Sequence, residues 1–175
     1  MNMRQLIFDK LPKVEIGGVL WGVGQVDETT LARAASAALH HVRAAVPVGD
    51  EDAPMEGLSA KIAEFVESVE KSTGELFVRL FALDRCKTEW QFKTAMMAIN
   101  RYVDFISVCS LVDHDTFRPL GDYGQISDLR DLIQLEGKDD AIKEARESAK
   151  NAQSPSGSQE QSADGETLPS DQQIS

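Results

Sequence analysis

Cysteine, aromatic residues and long apolar runs are all scarce in this chain. Of its 175 residues only two are cysteine, Cys86 and Cys109. They have no CxxC spacing, so neither a disulfide framework nor a zinc site is indicated, and both are expected as reduced, partly buried thiols. No stretch approaches the roughly 20 apolar residues of a membrane span, and the opening MNMRQLIFDK lacks the apolar core of a signal peptide. A cytoplasmic protein with no membrane partner is expected. Basic residues are outnumbered, 18 to 29, for a net charge of -11. That balance argues against a nucleic-acid backbone as the main partner. It suits solubility, a basic partner, or mimicry of nucleic acid.

Catalytic signatures are missing too. Gly17, Gly18, Gly22 and Gly24 do not make a GxGxxG that opens a helix, and no GxSxG elbow is present. Asp113-His114-Asp115, with Asp122 beyond, is the best candidate for a metal or acid–base cluster. It lacks the order and closing Glu of an EF-hand, and reads as a polar turn after a helix. His40 and His41 are adjacent, about 100° apart around a helix, so they cannot both face one metal. One is expected exposed and the other half-buried. Neither an enzyme nor a metal or cofactor is expected.

What is present is one long apolar-periodic stretch, Thr88 to Leu120. Thr88 and Gln91 have capping-box spacing. Trp90, Phe92, Ala95, Met96, Ile99, Tyr102, Val103, Ile106 and Val108 to Leu111 then recur at spacings of three and four. The spacing predicts a helix of about six turns, roughly 30 Å long.

Around it the chain reads as mainly α. Val14, Ile16, Val19, Trp21 and Val23 alternate about Gly17-Gly18, which predicts a β-hairpin. Asp27, Thr29 and Thr30 are candidate caps for a helix over roughly Thr30 to Val46, striped by Leu31, Ala35, Ala38, Leu39 and Val42. Pro47 to Gly57 is an acidic linker. Ser59 is the candidate cap of a helix through Ser72, striped by Leu58, Ile62, Phe65, Val66 and Val69, with Gly74 as its stop. Glu75 to Leu83 fits helix or strand, and the neighbouring helices favour helix. Ser127 or Asp128 begins a short leucine-rich helix that Gly137 interrupts. The fold expected is a small helical domain with an N-terminal hairpin over 1–137, a charged, solvated and fraying helix over 138–150, and a disordered acidic tail over 151–175.

The apolar helix running into Cys109-Ser110-Leu111-Val112-Asp113-His114-Asp115, then Arg118-Pro119-Leu120 and Ile126 to Ile133, resembles the C-terminal half of tailed-phage tail assembly chaperones. The KVEIGGVLWGV hairpin is similar to the start of several of them. Thr116 stands where the family's glycine is usual. The resemblance implies a helical cytoplasmic factor, with no cofactor. It coats the long helical tape-measure protein during tail assembly, commonly exists also in a longer frameshifted form, and leaves before the virion matures. A chaperone of that kind needs an apolar groove on an acidic body. The candidate lining is Trp90, Phe92, Met96, Met97 and Phe105, with Phe77 and Phe81 opposite; self-association is a further possibility. Two alternatives stand beside it. One is an acidic DNA mimic using Asp50, Glu51, Asp52, Glu56, Glu64, Glu67 and Glu70. The other is a small virion structural protein.

Overall fold

The Gly17-Gly18 pair turns the chain back on itself. Both glycines have positive φ, 60° and 74°, as the two central residues of a type I′ hairpin turn require. The strands on either side, β1 (Lys13–Ile16) and β2 (Val19–Val23), pair antiparallel with Val14 opposite Trp21 and Ile16 opposite Val19. Alternation buries Val14, Ile16, Trp21 and Val23. A third strand, β3 (Leu111–Val112), pairs with the other edge of β2, giving the order β1-β2-β3. The apolar stripe reaches Leu111, but the long helix ends at Cys109 and its last stripe residue is extended. The structure is a computed structural model that describes residues 2–45 and 53–153. Most of the Pro47–Gly57 linker and nearly all of the acidic tail expected from 151 onward lie outside the described residues.

Seven α-helices complete the described fold. The first, α1 (Met3–Lys10), is capped by Asn2 and buries Phe8. The second, α2 (Glu28–Ala45), starts where Asp27 Oδ1 accepts from the Thr30 backbone N–H at 2.7 Å and the Thr30 hydroxyl at 2.8 Å. Those bonds, the backbone one foremost, hold the Asp27 carboxyl below its ordinary range. Ala34, Ala35, Ala37 and Ala38 are buried along α2. Small side chains there, and Ala95 and Ala98 opposite, let the long helix α5 (Glu89–Cys109) pack closely against it.

Between these two lie α3 (Leu58–Ser68) and α4 (Lys71–Leu80), where one helix through Ser72 was expected. The chain breaks at Val69, which is extended at φ -125 and ψ 174. Ser59 is not the cap; Gly57 precedes the helix with no side-chain cap bond. Gly74 is no stop either. It sits inside α4, buried, where a Cβ would meet Val66 Cα at 3.0 Å. Its role is to let α4 approach α3. Glu75 to Leu80 is helical, and a 3-10 turn over Leu83–Arg85 follows.

Two helices close the described chain. Asp122 caps α6 (Tyr123–Glu136) by accepting from Gln125 N–H at 2.9 Å, so the helix starts before Ser127. Gly137 ends it at φ 64. The last, α7 (Asp139–Gln153), corrects the expectation of a solvated, fraying segment. Ile142 is fully buried, and the half-buried Arg146 donates from Nη2 to Ser110 Oγ at 2.6 Å. A single isoleucine in the right place docks a helix whose average composition is too polar to reveal it.

Candidate partner-binding site

The start of α5 is pinned on several sides. Thr88 Oγ1 accepts from Gln91 N–H at 3.2 Å, the first half of the capping box. Gln91 Oε1 accepts in return from Lys87 N–H at 2.7 Å, one residue before the cap. Residues in the second half of the acidic linker hold the same turn: Met55 N–H donates to the Lys87 carbonyl at 2.9 Å, and Glu89 N–H to the Ala53 carbonyl at 3.1 Å. The far end leads into β3. There Asp113 Oδ1 accepts from Asp115 N–H at 3.0 Å and Thr116 N–H at 2.7 Å, a backbone-satisfying turn. Among the described residues no group of three or more His, Cys, Asp or Glu side chains could hold a metal, and no helix is long and apolar enough to cross a membrane.

Held at both ends, α5 presents two apolar faces. One carries the buried residues Thr94, Ala95, Ala98, Tyr102, Phe105, Val108 and Cys109. Burial pushes the Cys109 thiol up to about 11, and it raises the Tyr102 hydroxyl as well. Neither is poised to react. The other face carries Phe92, Met96, Ile99, Val103 and Ile106. Their spacing alternates four and three residues, which at 3.6 residues per turn keeps all five on one stripe. Phe92, Met96, Ile99 and Ile106 are half-buried against the core, and Val103 is 71% exposed. At its C-terminal end the stripe borders an open pocket of about 470 Å³, lined by Val103, Ile106 and charged side chains of α7.

The seven residues expected to line a single groove are distributed over three surroundings. Phe105 and Phe81 are core, 1% and 3% exposed, so neither offers surface to a partner. Phe77 is half-buried, edge-on to Phe81 at 6.0 Å and to Tyr102 at 5.5 Å. Phe92 and Met96 fall on the open stripe. Met97, 44% exposed, shares a different flank with Trp90, roughly 140° from Phe92 around the helix. The aromatic pairing across α4 and α5 therefore builds the core, and the open apolar surface of the stripe centres on Val103, with Met96 and Ile99 half-buried beside it. Ile99, Val103 and Ile106 belong to the apolar pattern of the sequence but not to the expected groove; their four-three spacing is the signal that joins them to Phe92 and Met96.

The acidic row of the alternative reading is interrupted. Glu64 and Glu67 lie exposed on α3, whereas Glu70 falls after the break and accepts from the Ser72 hydroxyl at 2.7 Å. Asp50, Glu51 and Asp52 lie outside the described residues. No known protein-family model matches the chain, and no curated protein or solved structure shows significant similarity to it.

Proposed function

We propose that this chain is a tail assembly chaperone that holds an apolar helix of a tape-measure protein along the open stripe of α5. The observation that carries the reading is the four-three register of Phe92, Met96, Ile99, Val103 and Ile106, left partly uncovered. A stripe in that register accepts the knobs of a second helix and so suits a long helical partner. Met96, on the stripe, adds a side chain that adapts to differing partners. The acidic remainder, at a net charge of -11, keeps the loaded complex soluble. The short motifs running from the long helix to Ile133 add the resemblance described above, and with it the class of partner.

The test is a titration of the full chain with a labelled synthetic helix whose apolar residues repeat at heptad spacing. Binding is expected, with Val103→Glu weakening it by roughly tenfold or more, because the new carboxylate enters the interface unpaired. Equal binding by the wild-type and Val103→Glu chains contradicts the reading.

A further inference from the structure

One pocket carries only positive charge on a chain whose net charge is -11. It lies between α1, the start of α2 and the segment over 117–121, with a volume of about 540 Å³. Arg4, Arg33 and Arg118 line it, and no Asp or Glu does. None of the three forms an ion pair among the described residues. Arg33 is fixed by donating to the Cys109 carbonyl at 3.1 Å and to the Leu120 carbonyl. Arg4 and Arg118 are exposed.

The walls between these cations are apolar, with Ile7, Phe117 and Leu120 among them. Ile7 is 56% exposed, and Met3 and Leu6 beside it on α1 are 70% and 39% exposed, so apolar surface continues outside the pocket. Phe117 holds φ at 54°, a left-handed backbone rare for a bulky residue. That backbone sets its ring edge-on to Phe8 with centroids 5.5 Å apart.

We propose that this pocket docks a segment of a partner protein in which an apolar side chain is flanked by carboxylates. The apolar side chain fills the space between Ile7, Phe117 and Leu120. The carboxylates meet Arg4 and Arg118, whose planar guanidinium groups suit carboxylate oxygens. The net charge of -11 opposes such a segment overall, so attraction at this rim favours its place and its register. None of the lining residues is on α5, and the inference does not rest on the chaperone reading.

The probe is a labelled helical peptide with leucines four residues apart between glutamates, titrated into the full chain. Its control has glutamine at each glutamate. The acidic peptide is expected to bind roughly tenfold more tightly than the control, against the overall charge, with added salt removing the difference. Methyl signals of Ile7 and Leu120 should move while that of Val103 does not. Replacing Arg4→Gln and Arg118→Gln, both at exposed positions, should abolish the preference. Equal binding of the two peptides, an unchanged preference in the double variant, or shifts confined to α5 overturns the proposal. Movement of the Ile7 methyl on Glu166→Gln and Asp171→Asn in the full chain, without peptide, assigns the pocket to the chain's own C-terminal residues and also overturns it.

Discussion

His41 on α2 receives a hydrogen bond from Arg130 on α6, Nη1 to Nε2 at 3.1 Å. A guanidinium can only donate, so Nε2 is the accepting nitrogen and the imidazole proton resides on Nδ1, facing Ser127 Oγ at 3.4 Å. Arg130 is itself 7% exposed, lies over the Phe105 ring at 5.1 Å, and pairs with Asp131. Protonating His41 would remove the acceptor and set a second cation against Arg130. Burial first, then Arg130 and Arg101, lower the His41 pKa, against the smaller pull of Asp131 and Asp104.

A lowered histidine pKa makes folding acid-sensitive. Above the ordinary value of about 6.5 the imidazole is neutral in both states and the stability is fully present. Below it the unfolded chain takes up a proton that the folded chain resists, and stability falls until the folded pKa is reached. The urea midpoint should therefore drop between pH 7 and pH 5, and drop less in His41→Gln. Parallel pH profiles for the two chains would show that His41 is not coupled to the fold.

Ile142 is the anchor of α7. Ile142→Ala should cost about 2–5 kcal/mol, read from the urea midpoint, through lost burial and a residual cavity. A loss under about 0.5 kcal/mol, the size usual for a surface change, would mean that α7 is not docked.

Gly74→Ala should run against helix propensity. Inside a helix the change ordinarily gains about 1 kcal/mol. Here the added methyl meets Val66 Cα at 3.0 Å and Val69 Cγ2 at 3.1 Å. The expected outcome is a net loss of roughly 1–3 kcal/mol from overpacking, measured by denaturant unfolding. A higher midpoint than wild type would show that α3 and α4 separate easily.

The parts of this fold that repeat are legible in the sequence. The hairpin follows from alternation about Gly17-Gly18, and α5 from its caps and its period. What could not be read were features decided by a single contact. Gly74 looks like a helix stop in sequence, and only the proximity of Val66 shows it to be a packing residue. Ile142 is one isoleucine among charges, so its docking leaves no periodic trace. The candidate groove failed to assemble as drawn for the same reason: Phe81 and Phe105 share the aromatic character of Phe92, and composition does not tell which ring turns inward. The register of Phe92, Met96, Ile99, Val103 and Ile106 was present in the sequence. What gives it meaning is the packing of α2 against the other face of α5.

The central claim is that the open stripe of α5 keeps an apolar helical partner in solution. The most direct measurement is the soluble fraction of a tape-measure protein co-expressed with the full chain, compared with Val103→Glu and with Met97→Glu, each shown by circular dichroism to fold. The wild-type chain should raise that fraction severalfold, Val103→Glu should lose most of the gain, and Met97→Glu, on the other flank, should keep it. No gain with the wild-type chain, or full retention by Val103→Glu, would contradict the claim.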